Sequence, residues 1–417
     1  MSIHPRQIWV IAHSVAPKPW FMPSSAIAIF WIFLRLGLTA FGGPVAHLAF
    51  FRQEFVGRRG WLSDATFTEL VAVCQFLPGP ASSQMGMALG LSRAGYAGAF
   101  AAWIGFTLPS AVIMISAALG LTMLGNMLPN GLLLGLKIVV VAVVAQAVWA
   151  MGRSICTDAL RAGVMVAAAS AALLLQGAAA QWLVILACAV VGMLVIKPKA
   201  QSAAAAFSVP VTSRHGVVWL AVFLGLLLGL PFVAIALQSG WATLFDVFYR
   251  TGALVFGGGH VLLPLLQSQL VPAGWVSNDV FLAGYGLTQA VPGPMFSFTG
   301  FVGASLSGSV VQGMPAWLVG TFTLFATFLP AFLILMAALP FWAALRESPR
   351  AQAALGGVNA GVLGLLLATL YDPVFVSAVA WPQDMALAFL AFVALVFWHL
   401  PPWLVVLLGA VIGGIWF

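Results

Sequence analysis

From Ile27 to the C-terminus, apolar stretches alternate with short polar connections. The apolar stretches fall at 27–50, 67–92, 97–119, 131–150, 161–177 and 181–196, and then at 217–238, 243–266, 280–305, 315–340, 352–371, 384–399 and 401–417. A helix of about 20 residues matches the hydrocarbon thickness of a bilayer. The pattern therefore predicts an all-α polytopic membrane protein with up to 13 membrane segments. A polar, Ala/Ser-rich linker, KPKAQSAAAAFSVPVTSRHG, interrupts the series at 197–216.

Several stretches carry residues that should break a helix. QFLPGP at 75–80 and QAVPGP at 289–294 each place two prolines around a glycine. Proline removes a backbone donor and clashes with the preceding turn. FLRLGLTAFGG at 33–43 aligns with FYRTGALVFGG at 248–258, an offset of 215 residues. GWLSDATFTELVAVCQFLPGP at 60–80 aligns with GWVSNDVFLAGYGLTQAVPGP at 274–294, an offset of 214. TLPSAVIM at 107–114 loosely matches FLPAFLIL at 328–335. Two motifs in one order at nearly one offset indicate duplication. The expected organisation is a first repeat with its N-terminal tail over 1–196, a linker and extra helix over 197–240, and a second repeat over 241–417. Six spans plus one extra helix would insert the second repeat upside down, a plan that recurs in secondary transporters with the site at the repeat interface.

Composition narrows the class. The chain is 63% hydrophobic and 6% charged, against about 25% charged residues in soluble domains. The net charge of +7 comes from basic residues that lie mostly in short loops, which is an orientation signal and not a nucleic-acid footprint. A cytoplasmic N-terminus places Arg93, Arg153 with Arg161, Lys197 with Lys199, Arg214, and Arg346 with Arg350 inside. RQEFVGRRGW at 52–61 is the exception: either the first hairpin folds back, or the segment is an amphipathic element with a functional charge cluster. The N-terminal MSIHPRQIWVIAHSVAPKPW lacks the pattern of a removable signal. Cys74, Cys156 and Cys188 show no CxxC spacing, so neither a disulfide framework nor a metal site is expected. No GxxxxGK[ST], HExxH or Ser/His/Asp set is present, so no enzyme chemistry and no cofactor are expected.

The breaks are the candidate chemistry. A broken membrane helix exposes backbone polar groups that lipid cannot satisfy, so such backbone persists only against protein or a polar cavity. After Pro78-Gly79-Pro80, residues Ser82, Ser83 and Gln84 would open a half-helix whose N–H groups suit an anion. Pro292-Gly293-Pro294 is followed by Ser297 and Thr299. Gly42, Gly43 and Gly257, Gly258, Gly259 form a second pair of breaks, where glycine permits close backbone approach. A plain kink or a tight helix crossing is the competing explanation for each break. Arg35 and Arg250 match across the repeats; each is an oxyanion-binding candidate or a snorkelling side chain. Gln75 and Gln289 precede the Pro-Gly-Pro segments, and either could donate to an oxyanion or satisfy a freed carbonyl. Glu69 and His260 are the proton-exchange candidates, against a solvated helix start and a structural histidine respectively.

FGGPVAHLAFFRQEFVGRRGWLSDATFTELVAVCQFLPGPASSQ closely resembles the first-half signature of the chromate ion transporter family, and FGGGHVLLPLL with QAVPGPMFSFTGFVGA resembles the second. The resemblance spans nearly the whole chain, in the long form with both halves fused. It implies export of chromate from the cytoplasm across a bacterial inner membrane, driven by protons and conferring chromate resistance. It also implies inverted halves. The family's motifs fall on Gly42, Gly43, Pro44, on Pro78, Gly79, Pro80, on Gly257, Gly258, Gly259, His260, and on Pro292, Gly293, Pro294. Expected partners are chromate, protons and lipid, with a homodimer as a further expectation. The competing functions are a carrier for sulfate or another oxyanion, an anion channel, and an intramembrane lipid-processing enzyme.

Overall fold

The computed structural model describes residues 25–124, 130–175, 178–197, 211–306, 310–311 and 313–416. The N-terminal tail and most of the 197–216 linker lie outside the described residues. Every regular element described is helical. In the first half these are α1 (Ala26–Thr39), α2 (Gly43–Phe51), α3 (Asp64–Phe76), α4 (Ala81–Leu124), α5 (Asn130–Ile155), α6 (Ala159–Leu174) and α7 (Ala178–Val195). The connecting helix is α8 (Ser213–Leu237). The second half holds α9 (Gly240–Ala253), α10 (Leu262–Leu270), α11 (Asn278–Thr288), α12 (Phe298–Ser305), α13 (Ala316–Ala338), α14 (Trp342–Glu347), α15 (Pro349–Thr369), α16 (Val376–Ala378), α17 (Pro382–Val396) and α18 (Pro402–Trp416). Five stretches are long and apolar enough to cross a bilayer, and six shorter apolar helices accompany them among the described residues.

The 27–50 stretch, read from sequence as one span, is two helices folded back on each other. Gly42 (φ 97°) and Gly43 (φ 76°) adopt backbone that only glycine takes readily, and the chain reverses there. Phe33 of α1 then packs on Phe51 and on Phe55 of the π-helical segment Arg52–Arg58, with centroids 5.7 and 5.3 Å apart. Of the two alternatives posed by RQEFVGRRGW, the hairpin does fold back, and it brings Arg58 and Arg59 to a pocket that Arg35 of α1 also lines.

Three more hairpins follow the same plan. Arg93, at the far end of the first arm of α4, donates to the carbonyl of Trp61 before α3 at 2.9 Å. Gln269 of α10 donates to Thr251 of α9 at 3.4 Å. Phe281 of α11 packs edge-on to Phe298 of α12 at 5.1 Å. Counted with their 3-10 and π-helical ends, these eight arms run from 11 to 16 residues, the longest being Gly43–Arg58, at most about 24 Å of helix against a roughly 30 Å apolar layer.

α4 is not one rod. Ala94 and Gly95 (φ 60°) leave helical geometry, and a Cβ built on Gly90 would lie 2.2 Å from the carbonyl oxygen of Gly98. Eight residues of continuous helix would separate those positions by about 12 Å, so the second arm doubles back along the first. Pro109 and Pro330, from the loosely matched motifs, lie within α4 and α13.

The long helices cross between halves. α15 packs against α6 and α7 of the first half, while α5 packs against α17 and α18 of the second. Small residues permit the approach. A Cβ on Gly357 of α15 would sit 2.0 Å from the Cys188 carbonyl oxygen of α7, and one on Gly192 would sit 2.5 Å from Ala353 O. Gly357→Val is therefore expected to lower stability by about 3 kcal/mol through overpacking. Thermal unfolding of the purified protein in detergent checks this, and Ala354→Val on the same helix serves as the reference.

Candidate functional site

The tips of the four hairpins meet. The N–H of Gly79, inside the first Pro-Gly-Pro, donates to the carbonyl of Val255 at 2.8 Å. The N–H of Gly293, inside the second, donates to the carbonyl of Ala40 at 2.9 Å. Ala40 and Val255 each precede a glycine break and match across the repeats. Each Pro-Gly-Pro is thus bonded to the glycine break of the opposite half. The side contacts repeat the exchange. Gly79 faces Ala331, one residue after Pro330, and Gly293 faces Ser110, one residue after Pro109. Both glycines have positive φ, +116° and +97°.

These bonds change what the breaks offer a ligand. The N–H groups of Gly79 and Gly293 are already spent between the halves. What remains after Pro80 is the first turn of α4, where Ala81, Ser82 and Ser83 have no intrahelical acceptor for their N–H groups. Ser82, Ser83 and Gln84 are buried at this turn. Gln84 donates to Pro78 O at 2.7 Å and to Ala331 O at 3.4 Å, which pins the broken segment. The Ser83 hydroxyl and the Gln84 carbonyl oxygen are buried without a partner among the described residues. A buried unpaired hydroxyl is costly unless something else fills the role.

Sequence reasoning missed His47. It lies one helical turn past Gly43, but it has no histidine partner in the second repeat. Its ring is buried, with Nε2 3.2 Å from Ala40 O and Nδ1 3.3 Å from Ser82 Oγ. A carbonyl can only accept, so Nε2 carries the proton and Nδ1 accepts from the Ser82 hydroxyl in the neutral ring. His47 therefore joins the first glycine break to the first half-helix, and Ala40 O joins both to Gly293.

The second half is more self-contained. Ser297 donates to Pro294 O and Thr299 to Phe296 O, each at 2.8 Å. His260 Nδ1 lies 2.7 Å from the Tyr285 hydroxyl. Gly257 and Gly258 keep positive φ, and Gly259 abuts Met295. A Cβ on Gly257 would come 3.8 Å from Asn359 Oδ1, an atom buried without a partner among the described residues. Gln289 Nε2 is likewise unpaired, whereas Gln75 is exposed. Pro78, Pro80, Pro292 and Pro294 are buried, while Gly42 is exposed.

The charged candidates lie apart from one another. Arg250 pairs with Asp246 one turn earlier on α9, leaving its Nε buried and unpaired among the described residues. Arg35 is exposed and lines a pocket with Arg58 and Arg59. Glu69 is 5% exposed and accepts from Trp342 Nε1 and, at 2.8 Å, from Arg346 Nη1. That pair ties α3 to α14 of the opposite half. At the equivalent junction Lys137 of α5 meets Asp279 of α11 at 2.8 Å. In both cases the acid sits on a hairpin helix and the base on the other half's long-helix framework.

A family model described as Chromate transporter matches residues 27–193 and again 242–414. The chain belongs to the chromate transporter family. It is 30% identical over 368 residues to a chromate transport protein of Pseudomonas aeruginosa, covering 87% of this chain and 84% of that one. It is 26% identical to a chromate transport protein of Cupriavidus metallidurans, over 80% of this chain and 79% of that one. An uncharacterized transporter of Methanocaldococcus jannaschii is 26% identical over 93% of this chain and 94% of its own. No solved structure matches. Both copies of the family match carry one glycine break and one Pro-Gly-Pro, so the crosswise bonds link the two matched regions to each other.

Proposed function

We propose that the protein exports chromate from the cytoplasm across the bacterial inner membrane, driven by the proton gradient, and so confers chromate resistance. The membership of the family supports chromate as substrate. The observation that carries the carrier reading is the crosswise bonding of four hairpin tips. A site shared by two halves can be opened to one side by rocking one half against the other.

In this reading the four hairpins are re-entrant and α8 leads into a second half of opposite orientation. Nine segments cross: the second arm of α4, then α5, α6, α7, α8, α13, α15, α17 and α18. Arg52, Arg58, Arg59, Arg93, Arg153, Arg161, Lys197, Arg214, Arg346 and Arg350 then all fall on one face, taken as cytoplasmic with the N-terminus. The earlier exception at 52–61 disappears.

The tetrahedral dianion is proposed to sit at the start of α4, on the free N–H groups of residues 81–83 and the hydroxyls of Ser82 and Ser83. The positive end of a helix favours an anion there. Ser297 and Gln289 are proposed to complete the site from the second half, while Arg250 stays with Asp246. His47 is proposed as the proton-coupling group, ahead of Glu69 and His260, which are engaged with Arg346 and Tyr285. In the neutral ring Nδ1 accepts from Ser82, and protonation makes Nδ1 a donor to Ser82 Oγ. The proton is taken up from the outer side once chromate has left and is given up to the cytoplasm before the next anion loads, so it moves inward as chromate moves outward.

Calorimetric titration of the purified protein with chromate tests this. Ser83→Ala is expected to weaken binding about tenfold, the loss of one hydrogen bond to a charged group. Equal heats from sulfate would identify a general oxyanion carrier. Undiminished chromate binding by Ser83→Ala would remove the site from the start of α4.

A further inference from the structure

The chromate reading leaves Arg35 and its neighbours unexplained. The exposed side of α1 carries Ile27, Trp31 and Leu38, at 72%, 62% and 53% exposure. Their spacing puts them on one stripe, and Arg35 falls in the same stripe, one turn after Trp31. Arg35 lies nine residues inside the start of α1, about 13 Å along the helix. Its guanidinium has no ion-pair or hydrogen-bond partner among the described residues. A permanent cation in an apolar, outward-facing stripe needs a counter-charge.

The surroundings define the kind of counter-charge. Arg35 opens onto a pocket of about 500 Å³ between α1 and the segment Arg52–Arg58. Ile32, Leu36 and Phe50 give it an apolar wall, while Arg35, Arg58 and Arg59 give it a cationic one. Glu54 is the sole acid in the lining; it accepts from Arg58 at 3.3 Å and Arg59 at 2.6 Å. Three arginines against one carboxylate leave a surplus of positive charge. The ligand that matches a basic wall, an apolar wall and an adjoining apolar stripe is amphipathic and anionic.

We propose that this pocket binds the phosphate headgroup of an anionic phospholipid, with an acyl chain lying along the Ile27–Trp31–Leu38 stripe. The phosphate bridges Arg35 to Arg58 and Arg59, because guanidinium pairs with phosphate through parallel N–H donors. The first hairpin is thereby pinned to the cytoplasmic leaflet by a lipid and not by a protein counter-ion. Sulfate-like solutes lack the chain, so they fit the basic wall alone.

The test uses the purified full chain in a zwitterionic detergent. Dioctanoyl phosphatidylglycerol is titrated, followed by native mass spectrometry, with dioctanoyl phosphatidylcholine and inorganic phosphate as the parallel probes. Phosphatidylglycerol is expected to bind at least about tenfold tighter than phosphatidylcholine, and Arg35→Gln to abolish that preference. Arg35 has no partner to strand, so this variant is expected to fold normally. Glu54→Gln removes the competing acid and is expected to strengthen binding. Equal affinity for the two lipids overturns the proposal, as does a preference that survives Arg35→Gln. Arg35-dependent binding of inorganic phosphate as tight as that of phosphatidylglycerol also overturns it, in favour of a soluble-anion site. None of these readouts depends on transport of chromate.

Discussion

Glu69→Ala is expected to lower stability by about 3 kcal/mol, toward the lower end of what breaking a buried ion pair costs. The carboxylate is 5% exposed and accepts from both Trp342 and Arg346. Its removal strands a guanidinium whose side chain is 14% exposed, beside a residual partner, Glu347, that lies 3.6 Å away and is 74% exposed. Glu69→Gln keeps an acceptor for Trp342 and is expected to cost less. Replacing both members, Glu69→Met with Arg346→Met, is expected to recover much of the loss, because no buried charge is left unpaired. Lys137→Met is the contrast. Its partner Asp279 is 60% exposed, so water can replace it and the expected cost is under about 1 kcal/mol. Thermal unfolding of the variants in one detergent orders the series. A Glu69→Ala protein as stable as Lys137→Met would show that the α3–α14 junction bears no load.

The second large effect is expected at the hairpin tips. Gly79 and Gly293 hold φ of +116° and +97°, where an L-residue is strained, at about 1–3 kcal/mol. A Cβ on Gly79 would also come 2.7 Å from Ala331 Cβ, and one on Gly293 3.0 Å from Ser110 Oγ. Gly79→Ala and Gly293→Ala are each expected to abolish chromate transport and to reduce the folded yield. The two causes separate experimentally. Ala331→Gly in the Gly79→Ala background removes the clash but not the φ strain, so it is expected to restore part of the yield. Wild-type transport by either alanine variant would mean that the crosswise bonds, Gly79 to Val255 and Gly293 to Ala40, are dispensable.

Much of this was legible in the sequence, because proline and glycine act locally. Pro78-Gly79-Pro80 and Gly42-Gly43 announce breaks wherever they stand, and their recurrence at nearly one offset placed the breaks in pairs. The apolar pattern also located the long helices. It could not tell a span from a hairpin, since 27–50 has the length and hydropathy of one crossing. The reversal depends on two backbone dihedrals at Gly42 and Gly43. Which break meets which was invisible for a different reason. The bonds of Gly79 and Gly293 run between halves more than 170 residues apart, and no local signal encodes them. His47 carries no local signal: only the fold brings Ser82, 35 residues away in sequence, to 3.3 Å from its ring. Arg35 and Arg250 show the converse failing: they match across the repeats, yet one is paired with Asp246 and the other opens onto an exterior pocket.

The central claim is that chromate bound at the start of α4 is exchanged for a proton held on His47. The most direct measurement is chromate accumulation by everted membrane vesicles whose lumen is made acid, with sulfate as competitor. Wild-type protein, Ser82→Ala with Ser83→Ala, and His47→Gln are compared at equal folded amounts. The account predicts gradient-dependent accumulation by the wild type. It predicts almost none by the double serine variant, and accumulation that no longer responds to the gradient in His47→Gln. Gradient-driven accumulation that persists in both variants would contradict it.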